Sequence, residues 1–233
     1  MKPWEVLGEA SAPDGTSMAL TKRDREYVIL ADGKSLMSSL MHGSEEALAA
    51  LACSRLRAAT EPSVLIGGLG MGFTLRATLD VLPRSAMVLV AELVPAVLEW
   101  NRGPLGPLAE YPLKDRRVQV VISDVADVLA SSRDRFNAVL LDVDNGPAPV
   151  TSQANADLYG DRGIAAVRGA LKDDGVLAVW SAREDRKFVQ RLRYSRFAVE
   201  VEHVRGRLKK GGPHHTIFLA RKTGSQPGTS RPG

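Results

Sequence analysis

From Ser63 onward the chain alternates short, nearly uninterrupted apolar runs with stretches of helical period, and few folds accept that rhythm. The apolar runs fall at 64–66, 87–91, 118–122, 138–141, 176–180, 198–201 and 216–220, and helical spacing is read over 73–82, 95–102, 126–131, 159–171 and 184–194. Strands apolar on both faces must be covered on both, and strands separated by helices run parallel. The pattern therefore predicts an α/β fold with a mostly parallel sheet between two helical layers. The last two runs are joined by a Gly/Pro loop, 205–213, with no helix, so they are expected to form an antiparallel pair.

The first 43 residues follow a different period. Short β-like runs at 4–8, 18–21 and 27–31 are broken by Pro13-Asp14-Gly15 and by Asp32-Gly33. Asp-Gly between apolar runs is a hairpin signal, because both central residues must accept positive φ. A helix follows, with Ser44 as its expected cap, Glu45 and Glu46 at its positive end, Arg55 and Arg57 at its negative end, and an apolar stripe of Leu48, Leu51 and Leu56. The expected division is a β region over 1–43, one α/β domain over 44–222 and a disordered tail over 223–233.

With 44% hydrophobic and 25% charged residues among 233, the chain is neither disordered nor a disulfide miniprotein. No apolar run reaches the roughly 18 residues of a membrane span, and the N-terminus lacks the apolar core of a signal peptide. Cys53 is the single cysteine, so neither an intrachain disulfide nor a cysteine zinc cluster is expected. A cytoplasmic location is expected. The net charge of +4 is too small to argue for nucleic acid.

The first strand runs into Gly67-Gly68-Leu69-Gly70-Met71-Gly72 and then a helix. Glycines let a backbone approach a ligand closely, and the helix start supplies free N–H donors, although a tight βα turn needs glycines too. Acidic residues end the next three runs: Glu92, Asp124 and Asp142, with Asp144 close behind. They fall on the edge where open α/β sheets bind ligands, and Glu92 stands about 20 residues past the glycines, where a carboxylate takes ribose hydroxyls.

In these stretches (VLIGGLGMGFTLRATL, VLVAELVPAVLEWNR, VVISDVADVL, FNAVLLDVDNGP, LKDDGVLAVWS) the chain resembles the class I S-adenosylmethionine (SAM) dependent methyltransferases, in their spermidine synthase-like, aminopropyltransferase-like branch. The resemblance implies a Rossmann-like seven-stranded sheet with an antiparallel last strand, and an adenosyl sulfonium donor: SAM or decarboxylated SAM. It implies that Gly68, Gly70, Met71 and Gly72 wrap the donor, that Glu92 holds its ribose and that Asp124 faces its adenine. It matches Asp142, with Asp144, to the acids that deprotonate the attacking amine. It also implies a homodimer. Two departures are visible. Aminopropyltransferases resemble GGGDGG at the first turn, with an aspartate for the donor's amine where this chain has Met71. Their fourth-strand loop resembles D-x-x-D-P-x-G-P, longer by two residues than Asp142 to Pro147 here.

If the run at 198–201 is parallel to the others, the loop after it reaches the ligand edge, carrying His203, Arg205, Arg207, Lys209, Lys210, His214 and His215. Such a loop suits an anionic small-molecule acceptor, or is merely a solvated hairpin. Adjacent strand residues face opposite ways, which argues against a metal held by His214 and His215. One of the pair, assigned to His215, is a candidate base, with His214, Arg207, Asn155 and Tyr159 toward the acceptor. Met71 and the basic loop favour SAM-dependent methyl transfer. Aminopropyl transfer to a polyamine and a non-catalytic donor-binding protein are the alternatives.

Overall fold

The computed structural model describes residues 2–143, 146–147, 157–207 and 212–224. The N-terminal segment is a four-stranded antiparallel meander, β1 (Glu5–Ser11), β2 (Ser17–Arg23), β3 (Glu26–Ala31) and β4 (Lys34–Ser38), in that spatial order. Its last hairpin turns at Asp32 (φ 47°) and Gly33 (φ 72°), the paired positive φ that Asp-Gly predicts. The first turns at Gly15, whose N–H reaches Ala12 O at 2.9 Å.

The second sheet comprises β5 (Ser63–Gly67), β6 (Met87–Glu92), β7 (Val118–Ile122), β8 (Phe136–Leu141), β9 (Leu171–Ser181), β10 (Phe197–Arg205) and β11 (His214–Lys222). Its spatial order is β10-β11-β9-β8-β5-β6-β7. β5 to β9 pair in parallel, while β11 is antiparallel to both its neighbours, so β10 runs parallel with the first five. The seven runs read from the sequence are these seven strands, and the antiparallel last strand is as expected. β9, β10 and β11 extend beyond the apolar runs because their ends are polar and half-exposed.

Side chains of period two divide the core between the faces. Val64, Ile66, Val88, Val90, Ala138 and Leu140 point to one side, where α1 (Gly43–Cys53), α2 (Phe73–Val81) and α3 (Pro95–Arg102) lie. Leu65, Leu89, Val139, Leu141, Leu177 and Val179 point to the other, under α4 (Val125–Ala130), α5 (Asp161–Ala170) and α6 (Arg186–Tyr194). The meander joins the first core: Met18, Leu20 and Ile29 are buried with Leu48 and Trp100. It is a wall of the same hydrophobic interior.

One local expectation is corrected. Ser44 does not cap α1; the cap position is His42, without a side-chain cap bond, and Ser44 is buried inside the first turn. Arg55 lies beyond α1 in a short 3-10 turn, with Arg57 just after it, so neither sits in the helix's last turn. Among the described residues no helix is long and apolar enough to cross a membrane. The tail from 225 and the loop residues 208–211, Lys209 and Lys210 included, lie outside the described residues.

Because Leu20 is fully buried between the meander and the main core, Leu20→Ala should cost about 2–5 kcal/mol. Urea unfolding followed by far-UV circular dichroism and by tryptophan fluorescence should show one coincident transition shifted to lower denaturant. Separate transitions would mean that the meander is not part of the cooperative unit.

Candidate active site

The sheet reverses its winding between β5 and β8: β6 and β7 extend one way, β9 the other. A crevice opens at the C-terminal ends of strands at such a point. The glycine turn after β5 and Asp142 after β8 meet there. Asp142 N–H donates to Gly67 O at 3.1 Å and Gly68 N–H to Ala91 O at 2.9 Å. Gly68 has φ 86°, and a Cβ on it would lie 2.7 Å from the Asp142 carbonyl oxygen, so only glycine fits. Gly72 (φ 85°) starts α2, and a Cβ there would meet Asn101 Oδ1 at 2.9 Å. Asn101 ties the turn down by donating from Nδ2 to Gly70 O (2.8 Å) and Val97 O (2.9 Å).

Glu92 ends β6 buried, its Oε2 accepting from Leu69 N–H and its Oε1 from Val94 N–H, both at 2.8 Å. Burial raises its pKa and these backbone donors oppose the rise. Asp124 lies one strand away, where Ser123 N–H donates to Glu92 O at 3.0 Å. It is exposed and caps α4, its Oδ1 accepting from Ala126 N–H at 2.8 Å.

Asp142 receives Thr74 Oγ1–H at 2.7 Å on Oδ2. Burial raises its carboxyl and the Thr74 bond opposes that. It faces a cavity of about 10 Å³, room for one water, lined also by Met37 of β4, Glu45 of α1, Gly70, Met71 and Thr74. Met71 is 2% exposed. Met37 lies across the turn, its Cε 2.8 Å from where a Cβ on Gly70 would stand.

Sequence reasoning gave Glu45 only an electrostatic part in α1, yet it shares this cavity with Asp142. Burial first, and then the Asp142 charge, push its carboxyl up to about 7, while the Ser44 hydroxyl bond works the other way. Ser44 donates to Glu45 Oε2 at 2.7 Å, and His215 Nδ1 lies 2.9 Å from the same hydroxyl. The Ser44 hydroxyl thus links His215 to Glu45. Glu46 turns away, 2.7 Å from His42 Nδ1, and the His42 ring stacks on Phe73 with centroids 4.1 Å apart. No sequence pattern marks Met37 or Glu45; both face the cavity because the meander and α1 pack beside the glycine turn.

The remaining assignments divide. His215 does not line the cavity; it stands behind Ser44, against Trp180 with centroids 4.7 Å apart. Burial, with His214 beside it, lowers its pKa. His214 and Arg207 are exposed and away from the cavity. Tyr159 is in the core, 2% exposed, its ring edge-on to Phe188 and its hydroxyl donating to Val143 O at 3.3 Å, so it supports the Asp142 segment from beneath. Asp144 and Asn155 lie outside the described residues. β10 is parallel, so Arg205 at its end lies on the ligand edge, but the charged side chains lining the cavity are Glu45 and Asp142.

A carboxyl raised from 4.5 to about 7 keeps in the folded state a proton that the unfolded chain has released. Its contribution to stability is complete below about pH 4.5 and is lost as pH rises through 7. Asp142 and Glu92, also raised, act in the same sense. Wild-type protein should lose about 2 kcal/mol between pH 5 and 8, after allowance for solvent at the cavity mouth. Glu45→Gln should flatten the profile, read by urea titration at each pH; an equally steep profile would place Glu45 in water.

Against known proteins, the family described as the spermine/spermidine synthase domain matches residues 41–198, from before α1 into β10. Among solved structures, the spermidine synthase from Thermotoga maritima superposes with TM-score 0.72 at 20% identity, over 93% of this chain and 72% of that one. A spermidine synthase in complex with the transition-state analogue AdoDATO gives the same figures. A probable spermidine synthase from Corynebacterium glutamicum ATCC 13032 gives 0.63 at 15% identity, over 96% of this chain and 82% of that one. These likenesses show the fold. No curated sequence matches the chain. The matched span holds the glycine turn and every acid of the cavity, and on it this chain belongs to the spermine/spermidine synthase domain family, with its class I methyltransferase-like fold.

Proposed function

We propose that this protein is a polyamine aminopropyltransferase using decarboxylated SAM. The observation that carries the reading is the acidic cavity: Asp142 and Glu45 line it together beside the glycine turn. Carboxylates there favour cationic ligands, a donor without its carboxylate and an amine acceptor. The preference for methyl transfer read from the sequence is not supported. It rested on Met71, one position of the turn, and on a basic loop whose described cations stand away from the cavity.

The residues present suit an adenosyl donor. Gly68 and Gly70 carry no side chain at the turn, and Glu92, fixed by backbone N–H donors at the end of β6, is assigned to the ribose hydroxyls. Asp124, exposed beside Glu92 at the next strand end, is assigned to the adenine. Met37 has to swing from Gly70 to admit the donor, which an unbranched side chain does at small cost. When bound, the donor supplies an electrophilic carbon on a sulfonium that leaves as a neutral thioether. Asp142 orients the acceptor amine in line with that carbon and takes the one proton the new secondary amine must lose. Thr74 holds the carboxylate by donating to its Oδ2. Asp144 is assigned to the same acceptor site, as second acid.

Calorimetric titration should show at least tenfold preference for decarboxylated SAM over SAM. Mass spectrometry should find an aminopropyl group added to 1,3-diaminopropane, 1,4-diaminobutane or spermidine. Asp142→Asn should lower turnover about 10²–10⁴-fold with folding retained. A preference for SAM would overturn the reading.

A further inference from the structure

The mechanism above uses Asp142 and leaves Glu45 unexplained. Glu45 is costly to keep where it is: a second carboxyl, largely withdrawn from water, in a cavity the size of one water molecule. Two carboxylates so placed do not both ionise unless a cation joins them. Glu45 is also held rather than loose, with Ser44 donating to its Oε2 and His215 bracing Ser44 from β11. Its neighbour Glu46, one residue on, is paired with His42. Met71 and Met37, which also line the cavity, offer no charge.

The shape of the cation follows from the groups around it. No cluster of three His, Cys, Asp or Glu side chains fit to hold a metal ion occurs among the described residues. A primary ammonium has three N–H donors on one compact centre, which suits two carboxylates on different elements; a guanidinium is too broad, and a sulfonium has no N–H.

We propose that Glu45 is a specificity-determining residue of this site, closing with Asp142 on one primary alkylammonium group of the ligand. The inference rests on the aminopropyltransferase reading and adds the residue that enforces it, supplied by α1 rather than by the glycine turn. The ammonium belongs either to the donor's aminopropyl arm or to the acceptor amine.

Three titrations separate the cases: decarboxylated SAM, 5′-methylthioadenosine (the same nucleoside thioether without the ammonium), and 1,4-diaminobutane added to the methylthioadenosine complex. They are run on wild type, Glu45→Gln and, as a control, Glu46→Gln. Glu45→Gln should weaken decarboxylated SAM at least tenfold with methylthioadenosine unchanged if the donor's ammonium is held. The same loss in the diamine titration assigns the acceptor's. Glu46→Gln should match wild type in both. Wild-type binding of decarboxylated SAM with Glu45→Gln unaffected in every titration overturns the role of Glu45 and leaves the aminopropyltransferase reading intact. Wild type that binds neither nucleoside overturns that reading, and the role of Glu45 with it. A readout without mutation guards against a variant that does not fold. At pH 6.5 in buffers of different ionisation enthalpy, binding the ammonium should expel up to one proton from the carboxyl pair, while methylthioadenosine expels none. Proton release by neither decarboxylated SAM nor 1,4-diaminobutane beyond that of methylthioadenosine overturns the clamp.

Discussion

The hydrogen bond from Asp142 N–H to Gly67 O, across the line where the sheet changes its direction of winding, is the contact on which the site depends. It sets the end of β8 against the end of β5. The chain after β5 must then pass over the Asp142 carbonyl at a distance no side chain tolerates, which forces Gly68 and its positive φ. The turn that results is held by bonds from outside itself, from Leu69 N–H to Glu92 and from Asn101 to Gly70 O. The backbone of the turn is thereby fixed by the parallel sheet, and on the proposed reading little ordering remains for binding to supply.

The second constraint comes from the other direction. α1 starts where the β10–β11 hairpin receives it: Gly43 N–H donates to Gly206 O at 3.0 Å, and His215 supports Ser44. A helix pinned at its first turn puts the next residue, Glu45, at one fixed place beside Thr74 and Asp142. The meander completes the enclosure by laying Met37 over Gly70. The site is thus assembled from four parts of the chain, of which only two, the glycine turn and the strand ends, belong to the nucleotide-binding pattern.

That division explains what was legible in the sequence. The seven strands and the helices between them are local signals, because period two and period 3.6 are written in consecutive residues. Glu92, Asp124 and Asp142 are placed on one sheet edge by their position at strand ends, a rule of the fold that needs no contacts. Glu45 and Met37 could not be found this way. Each is unremarkable in its own segment, a first-turn acid and a strand residue, and becomes part of the site through packing against a turn some 30 residues away. Tyr159 shows the opposite error: a residue near the Asp142 segment in sequence is carried under it by Phe188 and the second core. His215 is intermediate, brought to the right edge by β11 and then separated from the cavity by one hydroxyl.

The charge of the site shows why counting residues misleads. The sequence run that carries Arg205 and Arg207, both exposed, suggests an anion. Yet a charge in water acts at about 1 kcal/mol over 4 Å, and at about 4 kcal/mol where the effective dielectric falls to that near a protein surface. These exposed cations are solvated and screened within a Debye length of about 8 Å at physiological salt. Glu45 and Asp142 are withdrawn from water, so each interaction they make is several times stronger, and each goes unbalanced until a cation or a proton arrives. An anion at the cavity would meet two carboxyls and gain no partner, whereas an ammonium group would be attracted by both. On the proposed reading, Glu45 and Asp142 decide what binds, and the exposed cations act only on the approach.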